Sequence, residues 1–212
     1  MKYNPHIHHR RSIRLKGYDY SQAGAYFITI CCHNRMLRFG TVEVLGPDNM
    51  DVQMILNDFG QTAYNEWAKL PERFLNVELD VFQIMPNHMH GIIILNDVVG
   101  ATLAVTRDNT GNDNANNRAG ASPAPTGVGN GKKIATIGDI VGAYKSLVAN
   151  ACLNLFKTSI ESAAIHKNEM MGKIWQRNFH EHIIRNEQVY QRIADYIINN
   201  PKMWKEDKFF RV

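Results

Sequence analysis

MPNHMHGIIIL, residues 85–95, is the stretch that decides how this chain is read. Pro86-Asn87 is a turn signal, and the apolar run behind it predicts a strand over 88–95. In a strand, residues i and i+2 point to the same face. His88 and His90 therefore share a side, and Met89 faces the other way. Two imidazoles so placed can converge on one divalent ion without completing its shell. A third, oxygen-bearing ligand has to come from elsewhere in the chain. Taken alone the spacing is a weak signal, because surface and core histidines also produce it.

Outward from this strand, AYFITICC (25–32) and NVELDVFQ (76–83) are rich in aromatic and β-branched residues and predict two more strands. Met54, Ile55, Phe59, Tyr64 and Trp67 roughly follow a helical period and predict a helix over 51–70. Ile137, Ile140, Val141, Tyr144, Leu147, Val148 and Ala151 form one apolar stripe, which predicts a helix over 136–156. GKIWQRNFHEHIIR (172–185) reads as an extended segment, and NEQVYQRIADYIINNP (186–201) as a last helix stopped by Pro201. No internal repeat is present. The expected order is strand, helix, strand, strand, helix, strand, helix. It matches an α+β, ferredoxin-like arrangement: an antiparallel sheet with helices packed on one face.

The 212 residues are 44% apolar, enough for one sizeable domain. No uninterrupted apolar window is long enough to span a membrane. The opening MKYNPHIHHRR lacks the apolar middle of a secretory signal, so a cytoplasmic protein is expected. Cys31, Cys32 and Cys152 show no CxxC spacing, which argues against a disulfide framework or a zinc site. Net charge is only +4, but its distribution is uneven. Lys2, Arg10, Arg11, Arg14 and Lys16 all precede the first acid, Asp19. Residues 1–24 are accordingly read as a basic arm able to neutralise phosphates, with a solvated terminus as the alternative. Residues 25–212 are read as a single domain. Within it, 97–133 is dominated by Asn, Gly, Thr, Ala and Pro, has no sustained apolar period, and is read as a flexible insertion.

The last predicted helix brings a candidate for the missing chemistry. At about 100° per residue, Val189, Ile193, Tyr196, Ile197 and Asn200 share one side. Tyr196 and Asn200 are four apart and therefore stacked neighbours, so a phenol and an amide oxygen can be presented together. The plainer alternative is a tyrosine at the core edge and a helix-terminal asparagine before proline. His180 and His182 form a second i, i+2 pair that competes with the first or lines the same cleft.

These pieces together resemble the HUH single-tyrosine transposases, specifically the REP-associated tyrosine transposases. RRSIRLKGYDYSQAGAYFITICCHNR (10–35) is similar to the family's opening, MPNHMHGIIIL (85–95) to its histidine strand, and IVGAYKS (140–146) to its middle helix. IWQRNFHEHIIRN (174–186) and ADYIINNP (194–201) are similar to its closing module. The insertion at 97–133 has no counterpart in this match.

The resemblance implies that His88 and His90 are the metal pair, that Tyr196 is the nucleophile, and that Asn200 stands where a polar third ligand is placed. Tyr190 and Tyr144 are the competing tyrosines. The implied cofactor is a divalent metal, Mg²⁺ or Mn²⁺, with no ATP. The implied partner is single-stranded DNA near an imperfect, REP-like hairpin, gripped in part by Arg10, Arg11, Arg14 and Lys16, with Trp175, Phe179 and Tyr18 as candidates to stack on bases. No membrane partner is expected, and a homodimer is an open alternative to a monomer. The implied activity is DNA strand transfer or nicking through a 5′-phosphotyrosine intermediate. A non-cleaving hairpin-binding protein on the same fold is the alternative, and a water-using metal-dependent phosphodiesterase is a third reading.

Overall fold

In the computed structural model, residues 17–46, 51–97, 135–161 and 171–211 are described. Strand β1 (Gly24–Cys31) is followed by a hairpin of β2 (Gly40–Val44) and β3 (Val52–Leu56). Helix α1 (Asp58–Ala68) and the short α2 (Leu70–Arg73) lead to β4 (Val77–Met85) and β5 (His88–Leu95). Helix α3 (Ile137–Glu161), strand β6 (His180–Ile184) and helix α4 (Glu187–Asn199) complete the domain. A single 3₁₀ turn, Trp204–Glu206, follows α4.

The main sheet has the order β4-β5-β1-β6, and every neighbouring pair is antiparallel. The expected α+β antiparallel architecture is therefore the one adopted. Residues alternate between its two faces along each strand. Tyr26, Ile28, Ile30, Met89 and Ile93 point to one face and pack with Trp67 of α1 and Tyr144 and Val148 of α3. Full burial of side chains of this size contributes roughly 1.5–3 kcal/mol each. The Tyr144 hydroxyl donates to the Ala63 carbonyl at 3.1 Å and ties α3 to α1. Gly91 lets α1 approach: a Cβ there would lie 2.7 Å from the Trp67 ring.

The helical layer expected on one face consists of α1 and α3. Helix α4 takes the opposite face, where Ile193, Ala194 and Ile197 cover Ile92 and Ile184. Its first turn is set by Asn186, whose side chain accepts from the Val189 amide.

Residues 52–56 correct the expected helix over 51–70. They form β3, paired in register with β2 from Val44↔Val52 to Gly40↔Leu56. The helix begins only after Asn57, whose side chain accepts from the Gly60 amide as an N-cap. Of the extended segment expected over 172–185, only 180–184 is a strand. Trp175 instead makes an isolated bridge with Cys32 and is buried against Phe39 and Tyr144. It is a core residue rather than a free stacking platform. Tyr18 and Tyr20 pack against the same core. The three cysteines are buried and unpaired. Among the described residues no helix is long and apolar enough to cross a membrane. Arg10, Arg11, Arg14 and Lys16, and the insertion at 97–133 apart from Asp97, lie outside the described residues.

Candidate metal and tyrosine centre

Strand β5 carries His88 and His90 to the sheet face covered by α4. There they pair across the sheet with Cys31 and Thr29 of β1 and with Met85 and Gln83 of β4. Both are buried, as is Asn200 at the end of α4. Buried polar atoms normally have partners, so each nitrogen and oxygen can be accounted for in turn. His90 Nδ1 lies 2.8 Å from Thr29 Oγ1, and its Nε2 lies 3.1 Å from the Tyr196 hydroxyl. His88 Nδ1 lies 2.9 Å from Asn87 Oδ1, while its Nε2 lacks a well-formed hydrogen bond. Asn200 Nδ2 donates to Asp207 Oδ2 at 2.8 Å, and its Oδ1 also lacks one.

Asp207 sits just beyond the 3₁₀ turn. It accepts from the Tyr196 hydroxyl at 3.2 Å through Oδ2 and from the Phe209 amide at 2.6 Å through Oδ1. One nitrogen from each histidine and one Asp207 oxygen all lie within 4.8 Å of one another. Among the described residues this is the group of His, Cys, Asp and Glu able to hold an ion. The imidazole rings are 4.5 Å apart between centroids. Phe27 stacks on His90 at 5.3 Å and Phe209 lies 4.5 Å from His88, so the cluster has aromatic walls.

Electrostatics favour neutral imidazoles. Burial pushes His88 down to about 4, against an opposing pull from the Asp207 charge. Burial, and then the neighbouring His88, hold His90 well below its ordinary value. Both therefore offer lone pairs at neutral pH. The Tyr196 hydroxyl is held above its ordinary range, first by burial and then by the charge and hydrogen bond of Asp207. It stays a phenol unless a cation joins the cluster.

The fit of these residues to a divalent ion rests on what is left over. Two buried atoms, His88 Nε2 and Asn200 Oδ1, lack a well-formed hydrogen bond although the two side chains are close enough to interact, in a cluster that also presents His90 and Asp207. The donor set of imidazole nitrogen, carboxylate and amide oxygen suits a borderline-to-hard divalent cation.

The structure thus brings His88, His90, Tyr196 and Asn200 together. Tyr190 lies elsewhere on α4 and donates to Asp80 of β4. Tyr144 is fully buried under the other face. His180 and His182 share the site's face, opposite Thr29 and Phe27, but lie on an edge strand and are exposed. Sequence reasoning missed Asp207. The available signal was an acid embedded in WKEDKFF (204–210), whose aromatic density shows that the segment packs rather than frays.

No family model matches the chain. A solved structure of a REP-associated tyrosine transposase bound to a REP hairpin is 18% identical, with a TM-score of 0.47, covering 90% of this chain and 73% of its own. A crystal structure of a Deinococcus radiodurans R1 protein is 15% identical, with a TM-score of 0.35, covering 89% of this chain and 97% of its own. A Haemophilus influenzae Rd protein, described as an uncharacterized protein, is 40% identical over 209 residues, which make up 99% of this chain and 97% of the relative. Identity of that degree, running nearly end to end, means that this chain belongs to the same protein family as the Haemophilus influenzae protein.

Proposed function

We propose that the protein is a metal-dependent, single-tyrosine DNA strand transferase, with Tyr196 as nucleophile and a divalent ion, Mg²⁺ or Mn²⁺, held by His88, His90 and Asp207. The observation that carries this reading is the position of the Tyr196 hydroxyl. It lies 3.1 Å from His90 Nε2 and 3.2 Å from Asp207 Oδ2, inside the cluster that, among the described residues, fits an ion. Asn200 holds Asp207 through Nδ2 and leaves Oδ1 for the ion.

When bound, the ion supplies Lewis-acid polarisation of a phosphodiester and offsets developing negative charge. The chain's own residues do the rest. Tyr196 is 39% exposed, the residue of this centre that reaches the surface of α4. Its oxygen attacks phosphorus and forms the phosphotyrosine bond while the bond to the 3′ oxygen breaks and that oxygen takes a proton from solvent. The products are a 5′-phosphotyrosine and a free 3′-hydroxyl, and the energy of the bond is kept for rejoining. The phenol's hydrogen bond already runs to Asp207 Oδ2, which directs its proton away from the incoming phosphate.

The sequence resemblance supplies the substrate class, single-stranded DNA beside an imperfect, REP-like hairpin. Residues 1–24 are proposed as the arm that grips phosphates through Arg10, Arg11, Arg14 and Lys16, joined to a catalytic domain formed by 25–212 on whose core its last residues, Tyr18 and Tyr20, are packed. The test is incubation with labelled single-stranded hairpins and Mn²⁺. The expected product is a protein–DNA adduct that survives denaturation. Cleavage without adduct would indicate water as nucleophile, and binding without cleavage would indicate a hairpin-binding protein.

A further inference from the structure

The two histidines differ in what fixes them. His90 Nδ1 faces the Thr29 hydroxyl, which can donate or accept, and its Nε2 faces the Tyr196 hydroxyl, whose own proton goes to Asp207, so His90 is held as the Nε2–H form until an ion displaces that proton. His88 Nδ1 faces Asn87, and there the choice is forced. Asn87 Nδ2 lies 2.8 Å from the Phe209 carbonyl and 3.4 Å from the Arg35 carbonyl. Carbonyls only accept, so the amide nitrogen must face them. The amide oxygen must then face His88 Nδ1 at 2.9 Å, and that nitrogen must carry the proton. The proton's place leaves a lone pair on Nε2, the buried atom without a well-formed hydrogen bond.

We infer that Asn87 is the positioning residue of the centre: one amide sets the tautomer of His88 and tethers the C-terminal turn that carries Asp207. The residue is fully buried, and its backbone carbonyl accepts from the Cys32 amide at 2.8 Å, which fixes the main chain from which the side chain projects. One of its two tethers ends on Phe209, whose amide is bonded to Asp207 Oδ1. The other ends on Arg35, the second of two successive non-glycine residues with positive φ, Asn34 at 52° and Arg35 at 57°. Such backbone persists where surrounding contacts hold it. A single side chain therefore joins β5, the β1–β2 connection and the carboxylate-bearing turn.

The consequence for metal affinity rests on the reading of the same site given above; the tautomer and the tether do not. The experiment is ¹⁵N-histidine NMR on the metal-free protein. His88 is assigned with a His88→Gln variant, and its tautomer is read from two-bond nitrogen–proton correlations. Amide exchange at Phe209 and Phe210 and Mn²⁺ titration by electron paramagnetic resonance accompany it.

In the wild type His88 is expected as the Nδ1–H form. Asn87→Asp keeps the acceptor and loses both donors, so the tautomer should persist while the turn exchanges faster. Asn87→Ala loses both functions. It should mix the tautomers and weaken Mn²⁺ binding by about 10- to 100-fold, the usual effect of removing an outer partner of a ligating histidine. His88 found as Nε2–H in the wild type overturns the inference, and so does an Asn87→Ala protein with wild-type tautomer and affinity. If Asn87→Ala fails to fold, the wild-type and Asn87→Asp spectra still decide. A wild type with the expected tautomer that binds no Mn²⁺ overturns the metal reading and leaves the role of Asn87 standing.

Discussion

Tyr196 donates to Asp207 across eleven residues of chain, from the exposed side of α4 to the turn beyond it, at 3.2 Å. The carboxylate thus meets both the proposed nucleophile and the proposed ion. Asp207→Asn keeps the size and an acceptor but removes the charge. Mn²⁺ affinity should fall by more than about tenfold, since even outer ligands cost that much. The Tyr196 phenol should ionise more easily, because the Asp207 charge now holds it up. Calorimetric Mn²⁺ titration and ultraviolet titration of phenolate, with Tyr196→Phe as the blank, measure the two effects. Unchanged Mn²⁺ affinity would remove Asp207 from the ligand set.

Tyr196→Phe keeps the ring against Phe27 and His90 and removes only the hydroxyl. Stability should change by no more than about 0.5–1.5 kcal/mol, the net worth of a hydrogen bond. Hairpin adduct should be absent on denaturing gels. Adduct persisting in this variant would move the nucleophile to another tyrosine, with Tyr190 next in line.

The buried histidines predict an acid-sensitive apo-protein. His88 is pushed down from the ordinary imidazole value of 6.5 to about 4, and His90 moves in the same direction. As pH falls below 6.5 the unfolded chain takes up protons that the folded one refuses. Stability is therefore full above 6.5, falls between there and about 4, and gains no further loss from His88 below that. Urea unfolding in EDTA across this window should show the decline, and His88→Gln should make it shallower. Equal slopes for the two proteins would mean that His88 is solvated.

Gly91→Ala should destabilise the fold without touching the site. The added methyl would meet Trp67 at 2.7 Å and the Phe82 Cβ at 3.1 Å. Overpacking of this kind costs about 1–3 kcal/mol. The check is a lower melting temperature with Mn²⁺ binding retained.

Replacing Arg10, Arg11 and Arg14 with Ala should weaken hairpin binding and flatten its salt dependence. Each phosphate released should lower the log–log slope by about 0.7. Identical salt titrations for the variant and the wild type would make the arm a solvated tail.

What the sequence disclosed follows from which signals are local. Strand alternation put His88 and His90 on one side, and helical period put Tyr196 over Asn200, because both patterns repeat within a few residues. The β2–β3 hairpin was hidden for the same reason. Met54 and Ile55 alternate as strand residues, yet they abut α1 so closely that with Phe59 they mimic a helical stripe. Asn57, an N-cap residue in plain view, marked the true boundary. The second helical face was hidden because period tells which side of α4 is apolar, not which face of the sheet it covers. Asp207 was illegible because the turn that carries it is held by Asn87 of the β4–β5 turn, 122 residues away from Phe209 in sequence.

That distance has a consequence for assembly. His90 and Tyr196 are separated by 106 residues, and the carboxylate comes later still. Contacts so remote form only after the intervening chain has been ordered. A polypeptide synthesised as far as α3 carries the imidazoles but neither the phenol nor the acid, and a partly unfolded one that has shed α4 is in the same position. The residue set exists only in the finished tertiary structure, so under the proposed function an immature or damaged copy is disarmed.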